Sequence, residues 1–327
     1  MSFTLRFFKI LMKTMRPVAP IVDFILMPFT LLSIVWFRII RYWGIKNLKI
    51  SQNLFLRLGM FPVVNHYYEP LIDYRKLPVM PPNTHLLQDA AKQWEFIANF
   101  DFNKELTALP IEKKADDKFY YHNGSFGSGD AELYYSIIRY YQPARILEVG
   151  CGYSTLIALE AIQKSAGNDP FYICEVTCIE PYEMPFLETL KVKLIRQPVE
   201  QTAARIFSEL QGGDILFIDS SHIIRPGGDV NFLILEVLSC LNPGVLIHFH
   251  DIFIPGYYPT DWLKEEFRLW NEQYLLEAFL LHNDSFEIVF NFHYMMEQDK
   301  SMLYGRFPVL KNEPERAPGS IWLRKVR

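Results

Sequence analysis

Asp219 and Asp251 carry the most telling chemistry in this chain. Each closes a short apolar run, Asp214-Ile-Leu-Phe-Ile-Asp219 and Gly244-Val-Leu-Ile-His-Phe-His-Asp251. Read as adjacent strands, the runs bring two carboxylates to neighbouring tips, about 5 Å apart. Like charges that close repel and drive one pKa up unless a cation lies between them. The expected metal ligands are therefore Asp219, Asp251 and His250, around Mg²⁺ or another divalent cation. His222 follows Asp219 in Asp-Ser-Ser-His and is positioned to take a proton from a bound hydroxyl, with His250 as the other candidate base. An Asp at a strand tip also commonly caps a turn, but two such acids beside two histidines argue for chemistry. His248 shares a strand face with His250 by period-two alternation and reads as a packing residue or as a support behind the site.

A second group lies upstream, in Arg145-Ile-Leu-Glu-Val-Gly-Cys-Gly-Tyr-Ser154. An apolar strand runs into a turn at Gly150 and Gly152, then a helix from about Ser154 to Lys164. Glycines let the backbone approach a ligand, and the helix start offers unpaired N–H groups. The spacing is Glu148-x-Gly150-x-Gly152-x-Ser154 and lacks the third glycine of a dinucleotide fingerprint, which disfavours an NAD-type oxidoreductase. Glu148 suits a ligand bearing an ammonium group. Glu180 ends the next strand, Glu175-Val-Thr-Cys-Ile-Glu180, where an acid accepts both hydroxyls of a ribose. The loop Tyr120–Asp130 precedes the helix Ala131–Tyr141 and is expected to fold over the ligand, with Ser128 or Asp130 as polar contacts.

The stretch at Glu148–Ser154 resembles motif I of class I S-adenosylmethionine-dependent methyltransferases. The resemblance covers about residues 120–327. It implies that this loop, together with Asp130, Glu180 and Asp219, holds S-adenosylmethionine. Asp219-x-x-His222 and the acid after strand five look like the metal-dependent O-methyltransferases of small molecules and sugars. This chain departs from them in having His250-Asp251 where they carry paired acids, which exchanges an oxygen donor for nitrogen.

The elements that must position these groups follow from periodicity. Strands are predicted near 145–149, 175–180, 192–196, 214–219 and 244–251, separated by helices such as Val230–Leu241, which stops at Asn242-Pro243-Gly244. Near-continuous apolar strands alternating with helices mean an α/β, Rossmann-like, mostly parallel sheet covered on both faces. Phe286–Phe292 and Ser320–Val326 would be strands six and seven. The resemblance implies that the seventh inserts antiparallel between the fifth and sixth, reached through a loop-rich 300–319.

Composition agrees with an enzyme core plus an extension. The 327 residues carry 33 basic and 37 acidic side chains, a net charge of −4 with no basic stripe in the second half, so a nucleic-acid partner is not expected. Cys174-x-x-x-Cys178 has no second pair among the four cysteines, so a zinc module is not expected, and the four fit a reducing compartment. Residues 1–43 are different. Arg6, Lys9, Lys13 and Arg16 lie among apolar residues, and Val18–Phe37 holds one charge, Asp23. That length can span a bilayer, although Pro17, Pro20 and Pro28 favour a shallow or re-entrant anchor bent at Pro28. The alternative is a helical arm packed on the catalytic domain or on a second subunit of a homo-oligomer.

Residues 44–119 read as a linker and substrate lid, with a helix over Asn83–Phe100 and with Tyr67, Tyr68 and Glu69 as substrate contacts. His66 and His122 lie in aromatic loops; His85, His282 and His293 read as surface or satisfied positions. The expected function is O-methylation of a small molecule, sugar or lipid-linked glycan by a membrane-associated protein with its catalytic part in the cytoplasm. The alternative is an inactive, membrane-tethered module that keeps the methyltransferase fold for interaction.

Overall fold

Runs of Ile, Leu, Val, Phe and Cys too continuous for one-sided burial form seven strands: β1 (Arg145–Val149), β2 (Glu175–Ile179), β3 (Lys193–Ile195), β4 (Ile215–Ile218), β5 (Leu246–Phe249), β6 (Phe286–Asn291) and β7 (Ile321–Lys325). The computed structural model describes residues 16–64, 68–71, 73–74, 77–78, 86, 88–114, 118–182 and 184–327. Within them two units divide between Asp73 and Tyr74, inside the segment 44–119 that the sequence reads as linker and lid.

The sheet belongs to the second unit and has the order β3-β2-β1-β4-β5-β7-β6. Strands β1 to β5 pair in parallel, and β7 runs antiparallel to both β5 and β6, as the resemblance implied. β1 pairs with β2 on one side and β4 on the other, so the winding reverses there and a crevice opens beyond the strand ends. Register sets what meets in that crevice. Val149 is level with Ile179 and Ile218, and Ile218 with Phe249. Gly150, Glu180, Asp219 and His250 therefore leave four neighbouring strands at one height.

Each sheet face is covered by its own apolar layer. On one, Phe126, Tyr134, Phe217, Trp322 and the helix face of Ala131, Ile137 and Ile138 pack together; on the other lie Val230, Leu233, Val237, Ile247 and Phe249. Each large aliphatic buried this way contributes about 1.5–3 kcal/mol. Tyr134 packs against both Phe217 and Trp322, and all three rings are fully buried.

Helix starts follow local caps. The Thr155 hydroxyl accepts the Gly152 N–H at 3.2 Å and starts Tyr153–Asn168. Glu132 reaches back to the Gly129 N–H at 3.0 Å and starts Asp130–Tyr141, which ends at Gln142 before Pro143. The predicted helix at 230–241 begins at Asp229 and widens to a π-helix over Leu233–Val237. The expected helix at 83–100 is observed over Ala90–Ile97, capped by Asp89, with residues 83–85 and 87 outside those described. The loop-rich reading of 300–319 needs correction. Phe292–Arg306 is helical apart from a break at Asp299, whose carboxylate accepts the N–H groups of Ser301 and Met302 and restarts the helix.

In the first unit, Ala19–Trp43 is one helix that continues through Pro28, so the predicted bend does not interrupt it. Its apolar side chains face outward: Phe24 is 78 % exposed and Leu32 67 %. The stretch Arg16–Trp43 is long and apolar enough to cross a membrane. Lys49–Leu58 follows as a second helix, closed by Gly59.

Gly150 is the tightest point of the crevice. It has φ +78°, and a Cβ there would lie 1.7 Å from the Asp219 carbonyl oxygen. Gly150→Ala is expected to lower stability by more than about 2 kcal/mol, from the left-handed backbone plus the displaced β4 tip. Urea unfolding followed by circular dichroism checks this; an unchanged midpoint would show that the two loops separate freely.

Candidate active site

Two cavities meet at the strand ends. The smaller, of about 350 Å³, is lined by Gly150, Glu180, Tyr182 and Arg225 among others. The larger, of about 640 Å³, holds Asp130, His222, His250, Asp251 and Trp270. Asp219, Ser220 and Ser221 line both. One short loop after β4 is thus the partition between them.

That loop is tied down at every step. Asp229 accepts the Ser221 N–H and its hydroxyl, each at 2.7 Å. The His222 carbonyl accepts the N–H groups of Asn271 and Glu272, and Asn271 in turn accepts the Ile224 N–H at 2.6 Å. These bonds hold His222 at φ +59°; Asp251, across the crevice, has φ +56°. Left-handed backbone costs a non-glycine residue roughly 1 kcal/mol or more, and it persists only where surrounding contacts enforce it.

The strained geometry turns the His222 ring into a nest of carboxylates. Its Nδ1 lies 2.8 Å from Glu272 Oε2, and its Nε2 lies 3.1 Å from Asp219 Oδ1 and 3.8 Å from Asp251 Oδ2. Trp270 packs on the ring at 4.2 Å between centroids. Burial opposes a charged imidazole, but carboxylates on both nitrogens outweigh it and raise the His222 pKa well above its usual 6.5. Burial likewise works against ionised Asp219, yet the His222 hydrogen bond and the nearby histidine charges bring it below the ordinary aspartate value. Asp251 goes the other way, because burial raises it more than His250 and His222 lower it.

The donor atoms of Asp219, His222 and Asp251 lie within 4.8 Å of one another. Two carboxylates and an imidazole fit a divalent cation, and the nitrogen widens the choice beyond Mg²⁺ towards Mn²⁺, Fe²⁺ or Zn²⁺. Here the structure differs from the sequence-based set, since the nitrogen donor is His222 and not His250. Period-two alternation turns His250 to the same buried face as His248. Its Nε2 is 3.6 Å from Asp251, its Nδ1 has no partner among the described residues, and its ring lies against Phe126. Burial opposes a charge on His250, but Asp251, Asp219 and Asp130 win and raise its pKa. His248 is deeper, stacked on Phe217 at 4.1 Å, and burial holds it neutral, as its packing role suggested.

Of the expected cofactor contacts, Gly150, Glu180 and Asp219 line the smaller cavity, whereas Asp130 lines the larger one and accepts the Gly319 N–H. The Glu180 carboxylate keeps acceptor capacity after taking the N–H groups of Cys151 and Tyr182. Glu148, Gly152 and Ser154 line neither cavity. Glu148 in particular cannot meet an ammonium group directly. It is fully buried, bonded to the hydroxyls of Tyr134 and Thr155, and burial pushes its pKa up to about 7. Tyr67 lies outside the described residues. Tyr68 and Glu69 belong to the first unit, where Glu69 is engaged by Arg41. Sequence reasoning missed Glu272. An acid opening a helix reads as an ordinary N-terminal charge, and only the fold brings it onto His222.

Residues 147–252, which include the glycine loop, Glu180, Asp219, His222 and Asp251, match a family model described as a methyltransferase domain. The match over this segment agrees with the methyltransferase resemblance of its glycine loop and strand-tip acids. A curated relative from Archaeoglobus fulgidus, described only as an uncharacterized protein, is 36% identical over 98 residues, covering 28% of this chain and 42% of its own length. The chain therefore spans under half of that relative. Similar solved structures include the MycE methyltransferase of the mycinamycin pathway in complex with Mg and SAH (15% identity, 60% of this chain, 49% of that one, TM-score 0.34). Others are the O-methyltransferase TomG from Streptomyces achromogenes in complex with SAM (11%, 78% and 95%, 0.34) and CalS11, a TDP-rhamnose 3'-O-methyltransferase (13%, 73% and 96%, 0.36).

The charge on His222 makes a prediction. In metal-free protein its ring should remain protonated above pH 6.5, and Glu272→Gln should bring the titration back towards 6.5, read by NMR of the ring protons. A raised folded pKa means that the His222 contribution to stability is complete below pH 6.5 and is lost as pH rises through the folded value. Identical titrations in both proteins would remove Glu272 as the cause.

Proposed function

We propose that this protein transfers a methyl group from S-adenosylmethionine to a hydroxyl oxygen of a small molecule, sugar or lipid-linked glycan. The observation that carries the reading is the shared partition: Asp219 and its two serines face both cavities, so a cofactor on the Glu180 side and an acceptor on the His222 side meet at one wall. In this reading Glu180 accepts the ribose hydroxyls and Gly150 keeps the loop close to the cofactor. When bound, S-adenosylmethionine supplies an activated methyl group, and a divalent cation held by Asp219, His222 and Asp251 supplies charge that lowers the pKa of the acceptor hydroxyl.

The chain's own residues handle the proton. His222 Nε2 faces Asp219 and Asp251, and Glu272 fixes its orientation through Nδ1. A nitrogen that ligates a cation has no lone pair left for a proton, so His222 Nε2 would serve as the base only where Asp219 and Asp251 alone hold the ion. His250, the other candidate base, retains a buried Nδ1 without a partner among the described residues. Trp262 and Trp270 line this side of the cavity. The intact set of acids and histidines supports an enzyme over an inactive interaction module.

Glu180→Ala should weaken S-adenosylmethionine binding by about 1–3 kcal/mol in calorimetry, because buried hydroxyls lose a charged acceptor. Unchanged affinity would remove the ribose assignment. Chelator should abolish methyl transfer without unfolding the protein, and so should Asp219→Asn or Asp251→Asn. Full turnover in chelator would discard the cation and leave a metal-free base.

The same reading puts the protein on a membrane through residues 1–43, with residues 44–327 on the cytoplasmic side that holds the methyl donor. The outward-facing apolar side chains of Ala19–Trp43 support it; at 1.5 Å per residue that helix is roughly 37 Å long, enough to cross the hydrocarbon layer. Full-length protein should sediment with membranes and resist high salt, since apolar burial outweighs the basic flanks. Removing residues 1–43 should release it, and release by salt alone would overturn the anchor.

A further inference from the structure

Arg316 is the cation of the larger cavity that its neighbours do not account for. It lines the wall with Asp219, His222 and Asp251. Among the described residues no carboxylate pairs with its guanidinium, and its Nε is buried without a hydrogen-bond partner. Leaving such a charged donor unsatisfied is costly, and native structures rarely do so without a ligand or water to complete it. Arg268, the other arginine of the wall, is already spent. Its Nε donates to Glu266 at 2.6 Å, and its guanidinium lies over Trp262 at 4.2 Å and Trp270 at 4.5 Å.

Arg316 is also held in place. Its backbone N–H donates to the Glu313 carbonyl at 2.9 Å, and the Glu313 side chain is clasped by Ser128 and His122. The backbone at Gly127 passes so close that a Cβ there would lie 3.0 Å from Nη2 and 3.1 Å from Cζ. A glycine at that position makes room for the guanidinium. The remaining acids of the cavity do not pair with it: Asp130 accepts the Gly319 N–H through Oδ2 and leaves Oδ1 without a partner among the described residues, Glu266 is bonded to Arg268, and Glu315 is exposed at the rim.

We propose that Arg316 receives an anionic group, a carboxylate or a phosphate, carried by the acceptor, so that the substrate class is an acidic sugar. The planar fork of an arginine matches both groups with two parallel hydrogen bonds. The proposal rests on the methyl-transfer reading only for the identity of the reacting hydroxyl; the anion subsite is a separate property of the cavity.

Calorimetry on the full-length protein with Mg²⁺ present, using phenyl β-glucuronide, glucose 6-phosphate and phenyl β-glucoside as probes, tests it. At least one acidic probe should bind about tenfold or more tighter than the neutral glucoside, as a charge-assisted pair predicts. The glucuronide and phosphate arms tell carboxylate from phosphate. Arg316→Gln should erase the difference, and Arg316→Lys, which keeps the charge without the fork, should retain part of it. Equal affinity for acidic and neutral probes, no saturable binding of either acidic probe, or a preference that survives Arg316→Gln would each overturn the proposal. S-adenosylhomocysteine binding, measured on the same samples, reports whether each variant is folded. Its failure to bind the unaltered protein would overturn the methyltransferase reading, while the anion result would stand by its own measurement.

Discussion

The rest of the site depends on one ring held by carboxylates from three parts of the chain. His222 joins the loop after β4 to the strand-five tip through Asp251 and to the helix beginning at Glu272. Two left-handed residues are the cost of that arrangement, and the bonds from Asp229, Asn271 and Glu272 offset it. Without those bonds the loop would relax, and the partition between the cavities would lose its shape. The parallel sheet contributes height and spacing, and the loop converts them into a cluster of donors.

Much of this was legible in the residue order. The alternation of apolar strands and helices predicted the sheet, and Gly150, Glu180, Asp219 and Asp251 fell at strand tips because an acid or glycine after a buried run has nowhere else to go. Period two also foretold that His248 would pack against the core. The same rule applied to His250 would have turned it from the metal site, since both histidines share a face. His250 stays near Asp251, at 3.6 Å, but it is His222 from the loop after β4 that brings a nitrogen to both aspartates.

Other features were not readable because they are made by long-range contact. Glu272 lies in a separate element, and nothing local distinguishes it from an acid placed to favour a helix start. Glu148 illustrates the reverse error. A carboxylate before a glycine turn looks ready for a ligand, yet Tyr134 from the preceding helix and Thr155 from the following one enclose it. Asp299 concealed a helix inside a stretch rich in loop-forming residues, because an acid after a break is itself a new cap.

The wall shared by the two cavities has a thermodynamic corollary. Asp219 cannot be polarised from one side without altering what the other side feels, so the two occupancies are linked through one carboxylate. Any factor by which the first guest strengthens the second must be returned in equal measure. A wall shared in this way acts as a balance: under the proposed reading, cofactor exchange and acceptor capture draw on the same charge, and each affinity depends on whether the other cavity is filled.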